Sequence, residues 1–383
     1  MAPSVHSEIP HFFEILKIIE AAVNADRTKV LAYVEQLAEK LSADGHLKAA
    51  ERLRNTAKQS KLSGLTAASA STLARVPVDN ESRLSLADEK RWTDKDVCLV
   101  MDEATEEKVS EFVRFVQGAD KLAAHGMGIT PSLLAYGPPG CGKTELAKWL
   151  SAKLQVPLIT ARIDSLISSY LGSTSKNLRS LFEHASGRPC VLFLDELDAV
   201  AKLRDDKHEL GELKRVVVSL LQNIDALDQT VLLGATNHEH LLDPAIWRRF
   251  AFKVKIGLPN EQTRIALYSK FLEDFSDKQS IRLCGEASDG LSGADIRQIA
   301  DDSKRSAIMQ DKQKAEQGDL MKRIVQRRVP NFGERSIPLG ERVAMVRALS
   351  EEVFSYRQLA DIFDISVGYA HKLVKMGVSD SGG

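Results

Sequence analysis

A chain of 383 residues, 43% hydrophobic and 27% charged, can fill one large core or two modest ones and still keep a polar surface. Its 52 basic residues nearly cancel its 53 acidic ones, so there is no chain-wide field to draw nucleic acid or an anionic membrane, and any such contact must be local. Cys98, Cys141, Cys190 and Cys284 form no CxxC pair and have no histidine at ligand spacing, which argues against a zinc site and a disulfide framework. Apolar runs such as Val191–Leu194 fall far short of the roughly 20 residues of a membrane-spanning helix, and the N-terminus lacks a signal-peptide pattern. The expectation is a cytoplasmic protein with no membrane contact.

Between His11 and about Lys58, apolar residues recur at helical spacing: Phe12, Ile15, Leu16 and Ile19, then Val30, Leu31, Val34, Leu37 and Leu41, then Leu47, Ala50 and Leu53. The spacing predicts a small helical domain over residues 1–58, with turns at Asn24–Asp26 and Ala43–Gly45. Residues 59–85, rich in Ser, Ala and Thr, read as a linker. From 86 to 257, short apolar runs at 133–136, 158–161, 191–194, 231–234 and 252–256 alternate with amphipathic helices, which implies an α/β domain whose parallel sheet is covered on both faces.

The first of these runs leads into Gly137-Pro138-Pro139-Gly140-Cys141-Gly142-Lys143-Thr144, which fits G-x-x-x-x-G-K-[ST] between a strand and a helix expected from Glu145 to Leu154. In such a loop, backbone N–H groups wrap a phosphate at the positive end of the helix. Lys143 would reach the β- and γ-phosphates of ATP, and Thr144 would place its hydroxyl on Mg²⁺. The run Val191–Leu194 ends in Asp195-Glu196, which puts two carboxylates at the carboxyl edge of the sheet. There Asp195 would hold Mg²⁺ and Glu196 would polarise the attacking water.

Three further segments in the same order narrow this P-loop NTPase pattern. Val231-Leu-Leu-Gly234-Ala-Thr-Asn237 resembles the sensor 1 strand of AAA+ proteins, implying that Asn237 orients the water. Leu242-Asp-Pro-Ala-Ile-Trp-Arg248-Arg249-Phe250 is similar to the arginine-finger segment, implying that Arg248 and Arg249 enter a neighbouring subunit's ATP site, with Arg249 at least as important as Arg248. Read without the family, the same pair serves as a surface salt bridge or a helix C-terminal charge. Leu291-Ser-Gly293-Ala294-Asp-Ile296 resembles the start of the AAA lid, where Gly293 and Ala294 lie against nucleotide and no sensor 2 arginine is expected. Over about Asp96 to Ile308 the chain thus resembles the AAA subfamily, nearest the katanin, spastin and bacterial single-ring groups. The resemblance implies a large ATPase domain at 86–257 and a small helical lid at 258–318. It also implies nucleotide contacts from Pro138 to Glu145, a homo-oligomeric ring of six, and a protein substrate or an effector partner, of which a separately encoded protease is one example.

Within that resemblance, Ser168-Ser-Tyr170-Leu171-Gly172 is similar to the pore loop that grips a threaded polypeptide; without it, Tyr170 has the usual core role of an aromatic. Lys207-His208-Glu209 is similar to a second pore loop, though the interval to Asp225 is longer, and a solvated loop reads equally well. The N-terminal helices hold the position of an adaptor or substrate domain. In the extension 319–383, Ser355 to Lys375 looks like a helix-turn-helix, with Ala360 at the crossing, Ser366 as a cap, and Tyr369, His371, Lys372 and Lys375 on display. Asp364 stands where such motifs often have glycine. With 10 basic against 8 acidic residues from Asp319 onward, the segment fits either duplex DNA or a docking partner.

Overall fold

The computed structural model describes residues 27–62, 76–79, 84–119, 130–162, 171–186, 188–202, 210–227, 230–329 and 337–380, with isolated residues between them. They divide into two compact units, one of residues 1–69 and 117–129, the other of 70–116 and 130–383. In the first, α1 (Arg27–Ala43) and α2 (Leu47–Leu62) form a hairpin. Gly45 turns it at φ +84°, where a glycine has no Cβ to clash. Leu37, Ala38 and Ala50 are buried, and the Arg54 guanidinium meets Glu35 at 2.8 Å.

The second unit carries a six-stranded sheet in the order β1-β3-β4-β5-β2-β6, made of β1 (Ala87–Lys90), β2 (Ser132–Tyr136), β3 (Leu158–Ala161), β4 (Cys190–Leu194), β5 (Thr230–Thr236) and β6 (Phe252–Lys255). Five strands run parallel, as the apolar runs imply, and β4 and β5 are buried along their whole length because helices cover both faces. The departure is β1, an antiparallel edge strand on β3. Its sequence, Ala-Asp-Glu-Lys, has no apolar run because only one face is covered. Charge protects that edge: Arg188 makes paired bonds to Glu89 at 3.2 and 2.9 Å, and Arg162 pairs with Asp88. Around the sheet lie α3 (Glu103–Gln117), α4 (Lys143–Leu154), α5 (Leu171–Ala185), α6 (Leu197–Lys202), α7 (Leu210–Asp225) and α8 (Pro244–Arg249).

Gly234, in the middle of β5, is where two neighbours close on the backbone. An added Cβ would come within 2.5 Å of Leu197 and 2.6 Å of Phe250. Gly234→Ala should therefore cost about 1–3 kcal/mol through overpacking, read as a lower urea midpoint at unchanged slope.

A second core is built by α9 (Glu261–Leu272), α10 (Lys278–Ala287), α11 (Gly293–Met309), α12 (Gln317–Arg328), α13 (Leu339–Leu349), α14 (Tyr356–Phe363) and α15 (Val367–Asp380). Asn260, Asp277 and Ser292 cap the first three, Ser292 in a reciprocal capping box with Asp295. The buried Arg264 ties this core to the strand-to-lid connection, since its guanidinium donates to the carbonyls of Gly285 and Pro259 and pairs with Asp289. Residues from Leu267 to Ala370 contribute to one continuous core, so packing runs across residue 319, where the extension was expected to begin. Three residues join α14 to α15, with Asp364 left-handed at φ +54° and Ser366 Oγ accepting from the Tyr369 amide at 3.2 Å. Leu359, Ile362 and Ala370 are buried, while Tyr369, His371, Lys372 and Lys375 are exposed.

Candidate nucleotide site

Register decides what meets at the carboxyl edge of the sheet. Leu194 pairs with Gly234 and Tyr136 with Thr236, so the residues that follow β2, β4 and β5 emerge side by side. Those are the loop from Gly137, the Asp195-Glu196 pair and Asn237. In the loop, Gly140 (φ +74°) and Gly142 (φ +104°) hold backbone conformations that side chains rarely adopt. Gly142 precedes Lys143, the first residue of α4, two residues earlier than the helix start expected from sequence. The first N–H groups of that helix have no partner within it and are the donors that a phosphate would meet.

Lys143 is buried, and its ammonium donates to the carbonyls of Gly137 and Pro138 at 2.8 Å each. Desolvation pushes its pKa below the ordinary lysine value, while the charges of Asp195, Asp198 and Glu239 oppose the shift. The Thr144 hydroxyl donates to Asp195 Oδ2 at 3.2 Å, and the Glu196 amide donates to Asp195 Oδ1 at 2.9 Å. Glu196 itself is exposed at φ +49°, a strained conformation for a non-glycine residue. Burial pushes the Cys141 thiol above its ordinary pKa, so at neutral pH this loop cysteine stays protonated.

The lid closes the site. The Ala294 amide donates to the Gly140 carbonyl at 3.0 Å, and a Cβ at Gly140 would meet Ser292 Oγ at 2.7 Å, so only glycine allows this approach. Between loop and lid is a cavity of about 400 Å³ lined by Pro139 to Glu145, Asp195, Glu196, Asn237, Gly293 and Ala294. Pro138 is exposed beside it and contributes the carbonyl already described. Other parts of the wall escape sequence reasoning, among them the Cys98–Asp102 segment, Leu267 with Phe271, and Arg297. The apolar run Val97-Cys-Leu-Val-Met101 was the readable signal for the first. Arg297 lies one turn beyond Gly293, its guanidinium 5.8 Å from the Phe271 ring centre and 3.8 Å from Asp301, so the lid brings an arginine to the cavity wall.

Arg248 and Arg249 end α8, away from this cavity. Arg249 is held by Asp225 through two bonds, Nε to Oδ1 at 2.7 Å and Nη2 to Oδ2 at 2.9 Å. Among the described residues Arg248 is exposed and makes no hydrogen bond or ion pair. Tyr170 and His208 lie outside the described residues; Leu171 and Gly172 form the first turn of α5, so helix begins where a loop was expected. Among the described residues no helix is long and apolar enough to cross a membrane.

Residues 133–258 match the model of the ATPase family associated with various cellular activities (AAA). An uncharacterised AAA family ATPase of Sinorhizobium fredii, y4kL, is 50% identical over 143 residues, covering 37% of this chain and 42% of that one. The 26S proteasome subunit RPT4 of Saccharomyces cerevisiae is 34% identical over 214 residues, covering 52% of this chain and 48% of that one. The chain thus spans less than half the length of either relative. In fold it is similar to the crystal structure of the FIGL-1 AAA domain in complex with ADP, at a TM-score of 0.52 and 23% identity, over 66% of this chain and 88% of that one. Phosphate loop, paired carboxylates and strand-end asparagine all fall within the segment 133–258, which accordingly is similar over its length to the ATPase domain of the AAA family.

Proposed function

We propose that the chain hydrolyses MgATP as a ring of identical subunits, six by the family pattern, and uses the cycle to remodel a protein in the cytoplasm. The observation that carries the ATPase reading is the convergence of Lys143, Thr144, Asp195, Glu196 and Asn237 on one cavity beneath the lid. The donor set suits the metal: the Thr144 hydroxyl and the Asp195 carboxylate are hard oxygens, 3.2 Å apart, of the kind Mg²⁺ takes together with phosphate oxygens. Bound there, Mg²⁺ would neutralise charge on the β- and γ-phosphates. Pro138 to Glu145 wrap the phosphates, with Lys143 exchanging its loop carbonyls for phosphate oxygens. Glu196 accepts the proton side of the attacking water, and Asn237 fixes that water's orientation. Positioning and charge, with no covalent intermediate on the protein, carry the reaction.

Beyond Lys143 and Mg²⁺, the charge that develops as the phosphoryl group transfers calls for a further cation. Arg248 and Arg249, exposed at the end of α8, supply one if they reach a neighbouring subunit. Tyr170, Leu171 and Gly172 would then face the ring channel, and residues 1–58 would dock a substrate or an effector such as a separate protease. A DNA-bound switch is the second reading, favoured by the exposed Tyr369, His371 and Lys372 on α15, beyond a three-residue turn. Measuring ATPase stimulation separates the two. Unfolded protein should raise turnover and duplex DNA should not; stimulation by DNA alone would replace the remodelling reading.

A further inference from the structure

Thr236 ends β5 with 1% of its surface exposed, immediately before Asn237. Its hydroxyl donates to Asp198 Oδ1 at 3.0 Å and accepts from the His238 backbone N–H at 3.0 Å, so two bonds on one oxygen bracket Asn237. Asp198 is itself buried, 5% exposed, in the first turn of α6, two residues beyond Glu196. That helix is continuous with the catalytic carboxylate, since the Ala199 amide donates to the Glu196 carbonyl at 2.8 Å.

We infer that Asp198 and Thr236 are positioning residues that hold Asn237 in register with Glu196. The proposed chemistry uses neither residue directly. A carboxylate buried beside a strand end is costly unless its oxygens are satisfied, so its retention there calls for a role. Asn237 lies just past the last β5 ladder position, where strand pairing no longer fixes the backbone. The Thr236 hydroxyl closes that gap by tying the peptide after Asn237 back to the sheet. Asp198 then fixes the hydroxyl's proton, so that its lone pair faces the His238 amide. Because Asp198 and Glu196 share one turn, a displacement of either catalytic side chain is carried to the other.

This assignment rests on Asn237 orienting the attacking water, as proposed above, and the test separates the two ideas. ATP turnover and ATP affinity would be measured for the full chain with Thr236→Val, Thr236→Ser, Asn237→Ala and the Thr236→Val/Asn237→Ala pair. Thr236→Val should lower kcat by about 100-fold, the scale of a roughly 1 Å misplacement, with ATP affinity within about twofold of the parent. Thr236→Ser, which keeps the hydroxyl, should recover to within about threefold. In the Asn237→Ala background, Thr236→Val should cost less than about twofold more, because the residue it positions is already gone. If loss of the Asp198 hydrogen bond unfolds Thr236→Val, the Thr236→Val/Asp198→Leu pair removes both polar groups and should show the same kcat loss. Full turnover in Thr236→Val while Asn237→Ala is slow would overturn this inference alone, as would additive losses in the double variant. Full turnover in both single variants would overturn the role of Asn237 and this inference with it.

Discussion

Glu196→Gln is expected to bind ATP as the parent does and to hydrolyse it about 10²–10³-fold more slowly, the usual consequence of removing one preorganised group from a reacting centre. The substitution keeps size and shape and removes only the charge that polarises water. Glu196 is exposed at the cavity, and its side chain enters none of the bonds that hold the site; its backbone amide, which supports Asp195 at 2.9 Å, is retained in the glutamine variant. Nucleotide affinity and fold should therefore survive. Equilibrium ATP binding and phosphate release on the same preparation check both halves. Parental turnover would remove Glu196 from the mechanism.

Arg248→Ala is expected to leave ATP affinity unchanged and to reduce hydrolysis by about 10³-fold or more, as loss of an arginine supplied in trans does. From sequence alone Arg249 carries at least equal weight, but its guanidinium is already bidentate on Asp225, whereas Arg248 is unengaged among the described residues. The Asp225 pair is about half exposed, and exposed pairs contribute only about 0–1 kcal/mol, so it can open for a neighbour. Arg249→Ala should accordingly impair hydrolysis less than Arg248→Ala does. Subunit mixing is the sharper check. Arg248→Ala and Glu196→Gln chains, each inactive alone, should regain activity together, because a mixed seam joins an intact Glu196 to an intact Arg248; mixtures that stay inactive at every ratio would argue against a shared site.

How much of this was legible in the sequence depends on which physical rule each residue obeys. Strands β2 to β5 were readable because burial leaves nearly continuous apolar runs, β6 because Phe252, Val254 and Ile256 alternate with lysines, and the loop from Gly137 to Thr144 because phosphate wrapping demands glycine at fixed offsets. Strand β1 was not, since Ala-Asp-Glu-Lys at a half-covered edge looks like any polar segment. The cavity wall at Cys98–Asp102 and Arg297 also escaped, because what brings those residues to the phosphate loop is tertiary packing and not spacing. Thr236 and Asp198 are ordinary residues in sequence, and only their 3.0 Å hydrogen bond marks them out. The helices after 319 were readable as helices, but their merger with the lid core depends on long-range contacts that periodicity does not encode.

ATP is expected to be hydrolysed at a site completed by a neighbouring copy of the same chain. Phosphate release from MgATP, measured per subunit across a wide range of protein concentration, decides whether it is. The rate per subunit should be close to zero in dilute solution, rise steeply as subunits associate, and reach a plateau. A rate per subunit that is the same at every concentration down to the monomer, or no phosphate release at any concentration, would contradict it.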